Sequence, residues 1–498
     1  MPAAIPTSDH LPPPPPAGDS TAVPIAKAPT GIAGLDEILI GGLPRDRTTL
    51  VGGGPGSGKT LLGVEYLYRG ALAGEAGILL TFEEQPASIR RNARTLGWNL
   101  EVLERDGRLR VLDGNVPTNI VTSGDFDIRG VLAILEGQVR ELGARRLVID
   151  AADLLLRLFR DPQRQEEQII LLHDWLLANP LTTVITVKTS QQQSDPTNRL
   201  EYLTDCVLRL DHRVLGQVST RRVRVLKYRG SPFFSNEYPY VIGSSGLVLM
   251  PVSSMSLMAH AAGPRFPSGV SGLDPVLGGG LFRGSSVLVG GSSGTGKTLL
   301  ACRMAVAASA REERALYVGF EESYESLADS VRSAGIDLDA ACRGGFLRFE
   351  TAMPEAAGIE EHLCRIFEAI EQQGSQYVFV DAINASQRVA SEEAAFDFVV
   401  RLVAHCKARG ATCVLLNQTD PRHVIEHISG VGVSSMIDAL LVLRQIWPDD
   451  TTHRRQMLVI KIRGTRHTHT WNTFQITDSG ITFGAAKPSS SPAEGATA

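Results

Sequence analysis

The chain has 498 residues, which is long for one domain and enough for two domains of about 230 residues each. Its net charge of −5 argues against a protein whose main affinity is for nucleic acid, because such proteins usually carry a large basic excess. The six scattered cysteines form no CxxC pair, and no apolar stretch approaches the roughly 20 residues that cross a bilayer. We therefore expect a cytoplasmic protein with reduced thiols and no membrane partner.

Both ends of the chain are expected to be disordered tails. Residues 1–23 include the run Pro12–Pro16, and residues 485–498 are rich in Pro, Ser and Ala. Between them, two domains are predicted at residues 24–252 and 265–484. The linker over residues 253–264 contains the small residues and proline that are typical of a domain boundary.

The sequence between the tails is a tandem repeat. The run Thr30–Asp36 (TGIAGLD) returns as Ser268–Asp274 (SGVSGLD), and later landmarks recur in the same order at separations of 231 to 238 residues. Landmarks that keep one order at nearly one separation indicate a duplication of a whole domain.

Short apolar runs alternate with amphipathic helical patterns in each copy, which predicts an α/β fold with a mainly parallel sheet flanked by helices. The predicted strands include Thr49–Val51, Ile78–Phe82, Leu147–Ile149, Val184–Val187, Val287–Val289, Ala315–Phe320, Val378–Val380 and Cys413–Leu416. The first predicted helices cover Leu61–Tyr68 and Leu299–Val306.

A glycine-rich loop follows the first predicted strand of each copy and opens its first helix. Both loops match G-x4-G-K-[ST], the P-loop pattern, in which backbone amides curl around phosphate oxygens at a helix N-terminus. The lysine is expected to reach the β- and γ-phosphates and the threonine hydroxyl to ligate Mg²⁺, so ATP and Mg²⁺ are the predicted ligands. The predicted ATP-binding residues of the loops are Gly53, Gly54, Gly56, Ser57, Gly58, Lys59, Thr60, Gly291, Ser293, Gly294, Thr295, Gly296, Lys297 and Thr298.

Two aspartates are the predicted metal carboxylates. Asp150 and Asp381 each end an apolar strand. A carboxylate at the C-terminal edge of a strand beside a P-loop is where an α/β nucleotide site holds its metal, here together with Thr60 and Thr298. An ordinary helix N-cap is the alternative interpretation.

A pair of glutamates follows the strand after each P-loop helix. One carboxylate of each pair could accept a proton from an attacking water or hydroxyl, and the like charge of its neighbour would make it a better base. The alternative is a solvated acidic turn, and which member of each pair is the base stays open. The predicted catalytic residues are Glu83, Glu84, Glu321 and Glu322.

A Lys-x-Arg motif occurs late in each copy, as Lys227 and Arg229 and again as Lys461 and Arg463. The two cations alternate along a strand-like run, so they point the same way. Such cations suit an arginine-finger role, in which they bind the γ-phosphate of ATP held by a neighbouring subunit. A charged edge strand with solvated side chains is the alternative.

Together these landmarks resemble the KaiC family, the double-domain RecA-type ATPases of the bacterial circadian clock. The resemblance covers about residues 24–484 and includes the Gly-Leu-Asp before each P-loop, the glutamate pairs, both Lys-x-Arg-Gly motifs and the run Asn236–Pro239. It implies two tandem RecA-like P-loop NTPase domains, assembled as a homohexamer of stacked rings with ATP at each subunit interface. It further implies an N-terminal domain that mainly hydrolyses ATP and a C-terminal domain that phosphorylates its own hydroxyl residues and can reverse this.

The resemblance also assigns phosphate acceptors. Ser434, Ser435 and Asp438 align with the family's acceptor stretch, in which Ser-Thr is followed three residues later by Asp. The equivalent run of the first copy is Glu201–Asp205, which lacks the serine pair. Ser434 and Ser435 are therefore the predicted phosphorylation sites, and the order of their phosphorylation stays open because the second acceptor is Ser rather than Thr. Two polar serines in a loop or at a helix start are the alternative.

Two departures from the family qualify its implications. The sequence after Ile481 lacks the helical tail on which a KaiA-type activator acts, so we expect no such regulation; a KaiB-like protein or a response regulator and histidine kinase are the expected partners. Each metal aspartate is followed by alanine, at Ala151 and Ala382, where Ser is common, which removes one nearby hydroxyl.

The favoured function is a hexameric ATPase and serine autokinase/autophosphatase in circadian or stress-type signalling. A RecA- or DnaB-like DNA-dependent ATPase is one alternative, in which Asn417-Gln418 would sense the γ-phosphate; the acidic balance argues against it. An ATP-gated scaffold without kinase activity is the other.

Overall fold

The computed structural model of the protein describes residues 24–114, 127–159, 161–189, 197–215, 218–251, 263–388, 391–420, 433–449 and 452–484. The two predicted tails, apart from Gly484 at the border of the second, and most of the predicted linker lie outside these residues. Within them, no helix is both long and apolar enough to cross a membrane.

The first half of the chain folds as a sheet between two layers of helices. Its strands are β1 (Lys27–Ala28), β2 (Leu43–Pro44), β3 (Thr48–Gly53), β4 (Gly77–Thr81), β5 (Leu109–Asp113), β6 (Arg146–Asp150), β7 (Thr182–Lys188), β8 (Cys206–Leu215), β9 (Val218–Tyr228), β10 (Glu237–Gly243) and β11 (Gly246–Leu249). Its helices are α1 (Leu35–Ile38), α2 (Lys59–Leu72), α3 (Pro86–Thr95), α4 (Leu100–Arg105), α5 (Ile128–Leu142), α6 (Ala152–Leu156), α7 (Pro162–Ala178) and α8 (Thr197–Leu203).

In the described part of this half, the main sheet has nine strands in the order β11-β10-β9-β8-β3-β7-β6-β4-β5. The strands from β8 to β5 run parallel, and β9, β10 and β11 continue the sheet antiparallel. Both faces are covered: Leu50 of β3 packs among residues of α5 and α7, whereas Val51 packs among residues of α2 and α3. Burial on both faces explains why these strands are continuous apolar runs rather than alternating ones.

The second half repeats this arrangement. Its strands are β12 (Arg265–Phe266), β13 (Leu281–Phe282), β14 (Ser286–Gly291), β15 (Ala315–Gly319), β16 (Leu347–Thr351), β17 (Tyr377–Asp381), β18 (Thr412–Gln418), β19 (Ala439–Asp449), β20 (Thr452–Ile462), β21 (Asn472–Thr477) and β22 (Gly480–Phe483). Its α-helices are α9 (Leu273–Val276), α10 (Lys297–Ser309), α11 (Tyr324–Arg332), α12 (Leu338–Arg343), α13 (Ile359–Gln373) and α14 (Glu392–Ala408). Short 3-10 helices cover Pro354–Ala356, Ile383–Arg388 and Val433–Ser435.

The main sheet of the second half has the matching order β16-β15-β17-β18-β14-β19-β20-β21-β22 over the described residues. β14, the counterpart of β3, lies between β18 and β19 and is parallel to both. The predicted fold class, two tandem RecA-like α/β domains with mainly parallel sheets flanked by helices, is therefore confirmed. Each predicted strand lies within an observed strand to within one residue, and the two predicted helices are the middle parts of α2 and α10.

The two halves also contact each other. Val241 on β10 and Met250, just after β11, are buried in a core whose other members come from the second half, among them residues of β14, β15, β17, β18, β19, α13 and α14. Beside this core, Arg222 on β9 forms an ion pair with Glu360 on α13, with Nη2 and Oε1 2.8 Å apart. One edge of the first sheet thus packs directly on the helical layer of the second.

Candidate functional site

Each P-loop lies between the central strand of its sheet and the helix that follows. β3 leads into the first loop and α2 begins at Lys59, while β14 leads into the second loop and α10 begins at Lys297. The residues just before these lysines, Gly58 and Gly296, have φ values of 82° and 99°. Glycine is the residue that adopts these left-handed angles without strain, and it turns the backbone amides inward at the helix N-terminus.

The P-loop lysines are held by the loops themselves. Lys59 donates from Nζ to the carbonyl of Gly54 at 3.0 Å, and Lys297 donates to the carbonyls of Gly291 and Ser292 at 2.8 and 2.9 Å. Burial lowers the pKa of both ammonium groups, against the opposing effect of nearby carboxylates. These carbonyl oxygens are neutral, whereas a phosphate oxygen would give each partly buried ammonium group a negatively charged hydrogen-bond acceptor.

The predicted metal ligands are adjacent in both halves. Thr60 Oγ1 lies 3.0 Å from Asp150 Oδ2, and Thr298 Oγ1 lies 2.7 Å from Asp381 Oδ2. A hydroxyl next to a carboxylate, beside the phosphate-binding amides, is an all-oxygen set of the kind that Mg²⁺ prefers. These residues fit Mg²⁺ held through one hydroxyl, one carboxylate and the phosphates of a nucleotide.

A second hydroxyl binds each of these aspartates. Thr186 on β7 donates to Asp150 Oδ1 at 2.6 Å, and Tyr317 on β15 donates to Asp381 Oδ2 at 2.8 Å. Burial raises the pKa of Asp150, and the hydrogen bonds from Thr186 and Thr60 oppose that rise. Each aspartate is followed by alanine, and its second hydrogen bond comes from a hydroxyl on a neighbouring strand, which the sequence analysis did not identify.

The first glutamate pair lines a cleft beside the first P-loop. The cleft has a volume of ≈ 350 Å³, and its lining includes Lys59, Thr60, Glu83 and Glu84. Asn92 on α3 donates from Nδ2 to Glu84 Oε2 at 3.1 Å, which fixes the direction of that carboxylate. Burial, followed by the charges of Asp150 and Glu83, raises the pKa of Glu84, so this group binds a proton more readily than an ordinary glutamate.

The second glutamate pair follows β15 in the same way. Glu321 and Glu322 are exposed on this single chain. The charge of Glu321, like that of Asp381, acts on Lys297 by raising its pKa against the larger effect of burial. Glu321 is therefore electrostatically coupled to the second P-loop lysine.

Two arginines contact the P-loops although the sequence analysis did not assign them there. Arg221 on β9 donates from Nε to the carbonyl of Gly56 at 3.2 Å, and Arg455 on β20 donates to the carbonyl of Gly294 at 3.3 Å. Gln445 on β19 reaches the same carbonyl of Gly294 at 2.6 Å. The Arg221 side chain therefore contacts the P-loop of its own half of the chain.

The Lys-x-Arg motifs lie away from the P-loop of their own domain. In the first half, Lys227 Nζ donates to the carbonyls of Glu201 and Tyr202 at 2.8 and 3.0 Å, and Arg229 Nη2 donates to Tyr202 at 2.7 Å. Lys227 is paired with Val207 near the amino end of β8, and β8 runs parallel to β3. The motif therefore lies at the end of the sheet opposite the first P-loop, where the parallel strands have their amino ends.

In the second half, the two predicted acceptor serines lie where Glu201 and Tyr202 lie in the first half, beside the Lys-x-Arg motif. Lys461 Nζ donates to the carbonyl of Ser434, and Arg463 Nη2 donates to that of Ser435, each at 2.5 Å. Ser434 is half-buried and Ser435 is exposed. Burial would raise the pKa of Asp438, but hydrogen bonds from Lys407 and Ser286 lower it overall, so this carboxylate stays charged beside the serines.

The predicted γ-phosphate sensor lies at the P-loop edge. Gln418 ends β18 and is paired with Gly291 at the start of the second P-loop, and its backbone N–H is bound by Asn384 Oδ1 at 3.2 Å. The corresponding position on β7 is Lys188, which is paired with Gly53. The two sites thus differ by an amide and an ammonium at equivalent positions.

Comparison with known proteins identifies the same repeat. The family model described as "ATPase: KaiC" matches the chain twice, over residues 28–254 and 266–487. The "Circadian clock protein KaiC2" of Synechocystis is 33% identical over 467 residues, which cover 93% of this chain and 82% of that protein. The "Circadian clock oscillator protein KaiC" is 33% identical in Thermostichus vulcanus, with 93% and 90% covered, and 32% identical in Synechococcus elongatus, with 92% and 88% covered.

Proposed function

Because the chain belongs to the KaiC family of ATPases, we propose that it is a two-site ATPase whose C-terminal site transfers phosphate to Ser434 and Ser435 of a neighbouring copy. The N-terminal site, in this proposal, hydrolyses ATP. The observation that carries the proposal is the position of the two serines, at the end of the sheet opposite the P-loop of their own domain.

The distance between the serines and the P-loop, which lie at opposite ends of β14, decides whether transfer can occur within one chain. Asp438 donates from its backbone N–H to the carbonyl of Ser286, which begins β14, whereas the P-loop follows Gly291 at the end of β14. At about 3.3 Å per residue this strand spans roughly 17 Å. A nucleophile attacks from about 3–3.5 Å, so neither serine can reach ATP held by its own chain.

Transfer between copies therefore requires a head-to-tail contact. In it, the end of the sheet that carries the serines in one copy faces the end that carries the P-loop in the next. Such a contact either closes into a ring or continues as a filament. The homohexameric double ring that the family resemblance implies is the closed form, and we propose it here. In this ring, Lys461 and Arg463 lie with the serines beside the γ-phosphate of ATP bound at the neighbour's second site. Lys227 and Arg229 contact the γ-phosphate at the neighbour's first site in the same way.

The residues of the second site have distinct roles in the transfer. Bound Mg²⁺ would neutralise charge on the β- and γ-phosphates, with Thr298 and Asp381 as its protein ligands. Lys297 binds the same phosphates. Glu321 or Glu322 accepts the proton of the serine hydroxyl as its oxygen attacks the γ-phosphorus, and the bond to the β-phosphate oxygen breaks to release ADP.

The first site carries the same groups without a serine acceptor. In this proposal Glu83 or Glu84 activates a water molecule, so that ATP hydrolysis is the reaction of the first site. A phosphoserine at the other site adds a charge of about −1.5 to −2 at a subunit contact. We propose that a KaiB-like protein, or a response regulator and its histidine kinase, responds to that change.

Mass spectrometry after incubation of the full-length protein with ATP and Mg²⁺ tests the proposal. We expect phosphate on Ser434, Ser435 or both, and a loss of about 10²–10⁴-fold in rate when Glu321 and Glu322 are both replaced by Gln. ATP hydrolysis without phosphate on either serine would remove the kinase function and leave the ATP-gated scaffold. A large stimulation of hydrolysis by DNA would favour the motor alternative.

A further inference from the structure

The first half holds one segment in the way that the second half holds its serine pair. Lys227 and Arg229 bind the carbonyl of Tyr202 at 3.0 and 2.7 Å, as Arg463 binds the carbonyl of Ser435. The separation of 233 residues between Tyr202 and Ser435 matches the period of the repeat. Tyr202 therefore occupies, in the first half, the place of the second proposed acceptor.

The side chain of Tyr202 is available for chemistry. It is 77% exposed at the end of α8, which is unusual for a large aromatic residue. The other hydroxyl of this segment belongs to Thr204, which is 2% exposed and donates to the carbonyl of Leu200 at 2.8 Å. Within the segment Glu201–Asp205, Tyr202 is thus the hydroxyl that can face a neighbouring copy.

We propose that Tyr202 is itself a phosphate acceptor and that the N-terminal site of the adjacent copy phosphorylates it; this inference rests on the head-to-tail assembly of the proposed function. The phenolic oxygen attacks the γ-phosphorus of ATP, the new bond is Oη–P, and the bond from the γ-phosphorus to the β-phosphate oxygen breaks. ADP leaves, and the phenol proton passes to a carboxylate of the Glu83–Glu84 pair.

The first site contains the groups that this step needs. Lys59 lies in the P-loop, Thr60 and Asp150 are in contact, and Asn92 orients the Glu84 carboxylate at 3.1 Å. The phenol is longer than a serine side chain, so it reaches farther from the backbone position that Lys227 and Arg229 hold. Phosphotyrosine would then place a dianionic group in the N-terminal contact, as phosphoserine does in the C-terminal one.

Site-resolved mass spectrometry of the full-length protein, incubated with ATP and Mg²⁺, tests the inference. We expect phosphate on Tyr202 and on none of the other eight of the 9 tyrosines. Replacing Glu83 and Glu84 by Gln keeps the P-loop intact and should slow labelling of Tyr202 by about 10²-fold or more. The matched change of Glu321 and Glu322 to Gln should slow labelling of the serines and leave labelling of Tyr202 unchanged.

The outcomes separate this inference from the proposed function. Phosphate on Ser434 or Ser435 with Tyr202 unmodified would overturn the inference alone. Phosphate on Tyr202 that survives the Glu83 and Glu84 changes but disappears with the Glu321 and Glu322 changes would also overturn it, because the C-terminal site would then be the donor. An absence of phosphate on both serines, with Tyr202 labelled, would overturn the kinase assignment of the second site.

Discussion

Lys461 binds the main chain of Ser434, with its Nζ 2.5 Å from the serine carbonyl oxygen. The contact uses the carbonyl and not the hydroxyl, so it fixes the position of the serine without occupying the group that would accept phosphate. The same lysine lies at the edge that would face the γ-phosphate of a neighbouring copy. In the proposed assembly, this one residue would both hold the acceptor serine in place and bring a positive charge to the reacting phosphate.

Replacing Lys461 by Ala should therefore reduce serine phosphorylation strongly. Removal of a cation that acts on a neighbour's γ-phosphate costs about 10³–10⁵-fold in rate for arginine fingers. The matched control is Arg343→Ala, an exposed residue at the end of α12, which packs against the far strand β16. Quantitative mass spectrometry of Ser434 and Ser435 over time measures both variants, and equal rates for the two would contradict the role of Lys461.

The hydroxyls that bind the two aspartates proposed as metal ligands lead to a prediction for each site. Thr186→Val removes the 2.6 Å hydrogen bond to Asp150, and Tyr317→Phe removes the 2.8 Å hydrogen bond to Asp381. Loss of such a supporting contact typically weakens metal affinity by about 10–100-fold. We expect Thr186→Val to raise the Mg²⁺ concentration needed for hydrolysis at the first site, and Tyr317→Phe to raise that needed for serine phosphorylation. Crossed effects, each variant altering only the other reaction, would contradict this assignment.

The raised pKa of Glu84 predicts how hydrolysis at the first site depends on pH. Burial and the charges of Asp150 and Glu83 raise this pKa above its ordinary value of 4.5, so Glu84 becomes protonated at a higher pH than an ordinary glutamate as the solution is acidified. A protonated carboxyl cannot accept a proton from water, so activity should fall with decreasing pH through that raised pKa. The steady-state hydrolysis rate of a Lys297→Ala variant, measured against pH, isolates the first site.

A Glu84→Gln change in that background provides the control. It should slow hydrolysis by about 10²–10⁴-fold and remove the acid limb of the profile. Full activity with an unchanged acid limb would exclude Glu84 as the base and leave Glu83 as the candidate.

The ion pair between the two halves predicts a coupling between them. Arg222 and Glu360 are partly shielded from solvent, with 26% and 14% of their side chains exposed, and their atoms are 2.8 Å apart. In a double-mutant cycle with alanine at both positions, residues in direct contact typically show an interaction energy of about 0.5–3 kcal/mol. Thermal unfolding of the four proteins measures it, and additive effects would show that this pair does not link the halves.

Much of the candidate site could be predicted because the chain carries the same domain twice. The repeat separates Lys59 from a chance glycine-rich turn, and it aligns Asp150 with Asp381 at the ends of equivalent buried strands. The alternation of short apolar runs with helical patterns was sufficient to predict the fold class. Both faces of each sheet are covered by helices, so its strands are continuous apolar runs that can be recognised in the sequence.

The residues that sequence reasoning missed have no local signature. Thr186 and Tyr317 are ordinary residue types for a buried strand, and only the order of the strands places them beside Asp150 and Asp381. Arg221 and Arg455 did have a signal: they are 234 residues apart, the same separation as Lys227 and Lys461. A search of the repeat for equivalent cations, beyond the known motifs, would have found them.

A mixing experiment tests the central claim that the acceptor and the ATP belong to different copies. One chain carries Lys297→Ala and keeps its serines, and the other carries Ser434→Ala with Ser435→Ala and keeps its P-loop. Co-expressed and incubated with ATP and Mg²⁺, the pair should show phosphate on Ser434 or Ser435 of the Lys297→Ala chain, while neither variant alone is phosphorylated at these positions. An unlabelled co-assembled pair, with the unmutated protein labelled under the same conditions, would contradict transfer between copies.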